Sequence, residues 1–202
     1  CQTKPRRRKQ AAPLLRRAAK LGHPWAQYAL GTWYFFGTAV PKDRVKAIGL
    51  WRRAAKRGVT EAQYDLGVSY LRGAGGRPRD DRKAAQWFLA AASAGDPNAQ
   101  FNLGIMYQRG RGVGRDLRQA ARWFEKAAHG GHLDALREIA WAVAQGLGVA
   151  RDTKAAVAWY RLGASRGDRW SQEQLAISYR LGEGVRRNAA SAQYWSTRSR
   201  AT

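Results

Sequence analysis

The chain has 202 residues, 45% of them hydrophobic and 25% charged, a balance that excludes a disordered polymer and suits a folded chain with a sizeable core. Lysine and arginine number 37 against 14 acids, a net charge of +23, which points either to a negatively charged partner or to an arginine-rich solvated surface. One cysteine excludes an internal disulfide framework and a cysteine-based zinc site, and no apolar run reaches the roughly 18–20 residues of a membrane span.

Residues 1–9 read as a basic tail or tether, and residues 10–22 as half a repeat made of one helix. From there the chain repeats itself. Trp51, Trp87, Trp123, Trp159 and Trp195 fall at steps of 36 residues, the mark of a stacked repeat architecture. An alanine precedes each of them, at Ala47, Ala84, Ala120, Ala156 and Ala192. About 20 residues earlier stands a leucine-like residue followed by a small one: Leu30-Gly31, Leu66-Gly67, Leu103-Gly104, Ile139-Ala140 and Leu175-Ala176.

Each unit reads as two helices. In the first, helix A, positions such as Ala62, Leu66, Gly67 and Tyr70 share a face at helical spacing, and the small residue lets a neighbouring helix approach. Gly37, Gly73, Gly110, Gly146 and Gly182 are placed to end helix A as left-handed caps. After a short loop, Asp43, Asp80, Asp116, Asp152 and Asn188 are predicted N-caps of helix B, whose periodic tryptophan is expected in the core. Gly22, Gly58, Gly95, Gly131 and Gly167 close the B helices. The predicted repeats are 23–58, 59–95, 96–131, 132–167 and 168–202, and no period-two strand signal competes.

The run Ala-Gln-Phe-Asn-Leu-Gly-Ile-Met-Tyr at 99–107, followed by Gly-Arg-Gly-Val at 110–113, Asp116, Ala120, Trp123-Phe124 and Lys126-Ala127-Ala128, resembles the Sel1-like repeat, a relative of the tetratricopeptide repeat. The resemblance covers about residues 11–200. Departures are Gly37-Thr38-Ala39-Val40 in repeat 1, the altered loop 73–78 in repeat 2, Val143 in repeat 4 and the alanine-rich helix B of repeat 5. The resemblance implies an all-α fold, a right-handed α-solenoid of antiparallel helix pairs with a concave face, and a role as an adaptor or scaffold, often in bacterial envelopes. It implies no cofactor.

By analogy with the tetratricopeptide fold, the concave stripe runs along helix A. The residues expected to meet a partner there are Trp25, Tyr28, Phe35, Arg72, Arg109, Arg137, Trp141, Trp170 and Arg180, since aromatic and arginine side chains lead interface hot spots. Inter-repeat packing is the competing role for each. Other motifs weigh little. Gly163-Ala164-Ser165-Arg166-Gly167 has the letters of a nucleophile elbow without the strand it needs. Arg166-Gly167-Asp168 and the loop Gly110–Gly114 read as repeat punctuation, and His129 and His132 as helix-end residues rather than metal ligands. A hydrolase is disfavoured, because no nucleophile, base and orienting group converge.

Charge is uneven: residues 1–22 carry +8 and repeat 1 carries +6, so the first 58 residues hold +14. Lys4, Arg6, Arg7, Arg8 and Lys9 are expected to contact a polyanion or an anionic membrane. Cys1 reads as the lipidated first residue of a mature bacterial lipoprotein, or as a point of truncation. The leading expectation is a monomeric, non-catalytic protein-binding scaffold whose partner has an acidic surface. It would sit in a bacterial envelope or periplasm if Cys1 is a lipoprotein terminus, and in the cytoplasm otherwise. A nucleic-acid or polyanion binder is the alternative.

Overall fold

The computed structural model describes residues 3–76 and 78–201, with the side chains of residues 3–10 and 201 outside that description. Among the described residues there are eleven helices and no strand. A leading helix, α1 (Thr3–Lys20), is followed by five A–B pairs. They are α2 (Pro24–Phe36) with α3 (Arg44–Lys56), α4 (Thr60–Arg72) with α5 (Asp81–Ser93), α6 (Pro97–Arg109) with α7 (Leu117–His129), α8 (Leu133–Gln145) with α9 (Thr153–Ser165), and α10 (Arg169–Leu181) with α11 (Ala189–Ala201). Helix α1 differs from expectation: it starts at Thr3, so residues 3–9 continue the helix instead of forming a tail, and it runs through Pro13.

The chain divides into two compact units, residues 1–99 with 111–113, and residues 100–110 with 114–202. In the first, α1 packs on α2, α2 on α3, α3 on α4 and α4 on α5. In the second, α7 packs on α8, α8 on α9, α9 on α10 and α10 on α11.

Local chemistry fixes the helix ends. Gly37, Gly73, Gly146 and Gly182 take left-handed conformations and cap A helices, as the spacing predicts. The aspartates cap the B helices: Asp43 accepts from the Lys46 N–H at 2.9 Å, Asp80 from Lys83 at 2.9 Å, and Asn188 from Ser191 at 2.9 Å. The cap residue's own N–H returns to helix A, as from Asp116 to the Tyr107 carbonyl at 3.0 Å and from Asp152 to Val143 at 3.0 Å. B helices close by paired bonds, Val59 N–H to Ala54 and Gly58 N–H to Ala55, which satisfy their last carbonyls.

Several A helices have side-chain caps that the sequence pattern did not reveal, although α4, which follows Val59, has none. His23 and His132 accept through Nδ1 from the Ala26 and Ala135 N–H groups, and Asp96 accepts from Ala99 at 2.6 Å. The role of His132 is therefore structural.

Close packing explains the Leu-small pairs. A Cβ added to Gly31 would lie 2.6 Å from Trp51, one on Gly67 2.6 Å from Phe88, and one on Gly104 2.5 Å from Phe124, all closer than real carbon atoms approach. The aromatic facing the small residue is thus Trp51 in repeat 1 but Phe88 and Phe124 in the next two. This corrects the expectation for the tryptophans. Trp51 is 2% exposed and belongs to the core, as do Phe88, Phe124 and Tyr160, whereas Trp87, Trp123, Trp159 and Trp195 lie one position earlier in their helices and are half-buried. Helix B of repeat 2 begins 37 residues after that of repeat 1, and the later ones follow at 36. The extra residue lies in the altered loop after Gly73, so the constant tryptophan spacing conceals a one-residue shift in the helix.

A candidate partner-binding face on the A helices

In the first unit, Trp25 is 53% exposed and meets Tyr28 edge-on, with ring centroids 6.2 Å apart. Tyr28 of α2 and the Asp65 carboxyl of α4 influence one another electrostatically. Burial, joined by the negative charges of Glu61 and Asp96, pushes Asp65 up to about 6, although Tyr28 opposes this. Burial and the Asp65 carboxylate push Tyr28 up to about 12. Asp65 was not among the expected site residues; its only sequence signal is an acid at a helix-A position held elsewhere by Ala29, Asn102, Glu138 and Gln174. Phe35 packs inward, 4.8 Å from the Trp51 ring, with the Arg44 guanidinium 5.3 Å from its own. Arg72 is exposed at the end of α4.

In the second unit, Trp141 is 46% exposed and walls a small cleft with Ile177, Gln174 and Tyr160. Ile177 also lines an adjoining groove of about 510 Å³ between α10 and α11, with Arg169, Glu173, Arg180 and Arg200 at its edge. Trp141 and Arg180 are thus brought to one face, joined by Ile177. At the helix-B position filled by Phe124 and Tyr160 in the preceding repeats, α11 has Ser196, which lines this groove. Arg109 is exposed. Trp170 is half-buried and sits edge-on to Tyr160, 5.6 Å away, against the core.

Arg137 is engaged within the fold. Its Nε donates to Asp168 at 2.8 Å and its Nη1 to Asp134 at 2.9 Å. Asp168 is buried and also accepts from the Ser171 N–H at 2.9 Å and hydroxyl at 2.6 Å. Burial alone raises this carboxyl, but the bonds from Arg137 and Ser171 outweigh it and hold it below its ordinary range. The aspartate of Arg166-Gly167-Asp168 is therefore withdrawn as the N-cap of α10. Ser165 donates to the Leu162 carbonyl at 2.8 Å, three residues back in its own helix. Among the described residues no group of three His, Cys, Asp or Glu is placed to hold a metal ion, and no helix is long and apolar enough to cross a membrane. Cys1 and the side chains of Lys4, Arg6, Arg7, Arg8 and Lys9 lie outside the described residues.

Charge is segregated by helix type. The five A helices carry five arginines and five carboxylates, a net charge of zero. The five B helices and α1 carry 22 lysines and arginines against two carboxylates, Asp81 and Glu125, a net +20.

Tandem helix pairs with repeated caps, a repeated buried frame and side chains that change from repeat to repeat define a helical-repeat protein of the solenoid class. The chain belongs to the Sel1 repeat family: the Sel1 repeat model matches residues 7–23, 26–59, 60–96, 97–132, 133–168 and 171–200. It is similar to the crystal structure of c5321, a protective antigen of uropathogenic Escherichia coli with an SLR fold, at 35% identity and a TM-score of 0.88. That match covers 96% of this chain but 41% of the antigen, so the chain spans less than half of that relative. It is also similar to a Sel1 repeat protein from Oxalobacter formigenes, at 31% identity and a TM-score of 0.89, covering 98% of this chain and 81% of the other. Helicobacter pylori cysteine rich protein B matches at 25% identity and a TM-score of 0.51, over 66% of this chain and 96% of its own. No curated protein sequence matches the chain. Sel1 repeat proteins generally serve as protein-interaction scaffolds, and the family is generally non-catalytic.

Proposed function

We propose that this protein is a non-catalytic scaffold that binds a protein partner through exposed side chains of its A helices, chiefly Trp25, Arg72, Arg109, Trp141 and Arg180. One observation carries this reading: the buried frame repeats while the exposed set does not. Leu30, Leu66, Leu103, Ile139 and Leu175 keep one chemistry, whereas the exposed last residues of the same helices are Phe36, Arg72, Arg109, Gln145 and Leu181. Packing explains the first set and leaves the second unexplained. The test is affinity capture from bacterial extract with the wild-type chain and Trp141→Ala. A single protein retained after nuclease and moderate salt, and weakened by the substitution about fivefold or more with little change in stability, supports the reading. A large stability loss on Trp141→Ala returns that side chain to packing.

A second reading, a polyanion binder, is favoured by the +20 on the B helices and α1. Capture that vanishes with nuclease selects it. The protein acts as a monomer on the first reading, and light scattering checks this. On the same reading it sits at a bacterial envelope, with Lys4, Arg6, Arg7, Arg8 and Lys9 against anionic lipid, and sedimentation with anionic vesicles checks this.

A further inference from the structure

A second surface, separate from the exposed A-helix side chains, lies where α1, α2 and α3 meet. A cleft of about 380 Å³ opens there, floored by Ala19, Leu30, Tyr34, Gly49 and Leu50. Arg16 and Lys20 of α1 and Lys46 and Arg53 of α3 line it, and no carboxylate does. Helices α1 and α3 together carry 13 lysines and arginines and no acid. Lys46 is paired with Asp43 at 3.1 Å and lies 5.8 Å from the Tyr34 ring centroid. Arg16, Lys20 and Arg53 have no ion pair among the described residues. Like charges around a low-dielectric cleft focus a positive potential into it and repel one another until an anion enters.

We propose that this cleft is a docking site for an acidic peptide segment of a partner protein. Carboxylates of the segment meet Arg16, Lys20 and Arg53, and an apolar side chain rests on Leu30 and Leu50. The proposal rests on the scaffold reading and gives the partner its chemistry. Two features favour a peptide over a nucleic acid. The floor is aliphatic around a single half-buried ring, Tyr34, which already has a lysine beside it, so it offers no series of aromatic faces for base stacking. The volume suits a side chain and a short stretch of backbone, near the lower end of ligand pockets at about 300 Å³, and does not admit a duplex. The floor also has room at Gly49, where an added Cβ would meet nothing within 4 Å.

The experiment is fluorescence anisotropy with the full chain and a labelled decapeptide of glutamates around a central Leu-Leu, at about 150 mM salt. A second probe replaces the leucines with glycines. The double variant Arg16→Glu/Arg53→Glu should weaken the leucine probe by about tenfold or more. Arg122→Glu/Lys154→Glu, an equal charge change at exposed residues of α7 and α9, should weaken it less than about threefold. Gly49→Trp should fill the cleft and remove the advantage of the leucine probe over the glycine probe; it decides alone if the double variant does not fold. Equal losses in both double variants would overturn the proposal, since the net charge would then act without a site. So would duplex DNA or phosphatidylglycerol vesicles that bind more tightly than the peptide with the same dependence on Arg16 and Arg53. Failure of the probe with partner capture intact removes the cleft and leaves the scaffold; loss of any captured protein removes the scaffold itself.

Discussion

Phe124→Ala and Trp123→Ala, one position apart on α7, test which aromatic column holds a repeat together. Phe124 is 2% exposed, and its ring sits against Gly104 with the Phe101 ring centroid 5.8 Å away. Truncating it leaves a cavity that its neighbours fill only in part, at a cost of about 3–5 kcal/mol. Trp123 is half-buried, and its ring is covered by the Lys126 ammonium 4.4 Å from its centroid. A cation–π contact near the surface contributes about 0.5–1 kcal/mol, and the half-buried ring adds about 1 kcal/mol. The smaller side chain should therefore cost about 2 kcal/mol more than the larger one. Urea unfolding followed by circular dichroism reads the difference as a shift in midpoint at constant slope. Repeat arrays lose cooperativity, so hydrogen exchange of the α7 and α8 amides should accompany it. If Trp123→Ala costs as much as Phe124→Ala, the tryptophan column is the core column and the one-residue shift is wrong.

Asp65→Asn should raise stability at neutral pH by about 2 kcal/mol and leave it unchanged near pH 4. The folded carboxyl, raised to about 6, contributes its stability below its unfolded value and loses it as pH rises through about 6, a loss that asparagine avoids; an equal effect at both pH values refutes this. Asp168→Ala removes a helix cap and the buried partner of Arg137, and should cost about 3 kcal/mol or more in chemical unfolding at pH 7. Because this carboxyl is held below its ordinary value, its contribution is present at neutral pH and lost as pH falls through the folded value, so the wild type and the variant should converge in strong acid. Gly148→Ala should cost about 2 kcal/mol or more, since φ is +74° and the new Cβ would run into the Leu117 carbonyl, whereas Gly114→Ala, with nothing within 4 Å, should stay within about 0.5 kcal/mol; thermal melts decide. Ala39 holds φ at +59°, the one described residue other than glycine to do so, and Ala39→Gly should raise stability by about 1 kcal/mol in the same melts.

Much of the fold is legible in the sequence because the same local physics recurs five times. A glycine six residues past the small position ends each A helix, an aspartate or asparagine starts each B helix, and in the first three repeats the small residue lets an aromatic close in. What stayed hidden depends on tertiary geometry. The residue gained in the loop after Gly73 shifts helix register without disturbing the tryptophan spacing, so counting alone puts Trp51 and Trp87 in one column. His23 and His132 serve as caps, a role that residue type alone does not announce. Of the expected partner-facing residues, Trp25, Arg72, Arg109, Trp141 and Arg180 are exposed or half-exposed, while Phe35 and Trp170 pack on neighbouring rings and Arg137 is held by Asp168. Helical spacing sorts residues onto a face, but whether a neighbouring ring covers them depends on side chains far away in sequence.

The most direct test of the scaffold reading is photocrosslinking in bacterial extract from two positions, Gln145 at the exposed end of α8 and Arg122 on the exposed side of α7. The account predicts one protein crosslinked from position 145 and none from position 122. The same protein crosslinked from position 122 alone would contradict it and move the interface to the basic helices.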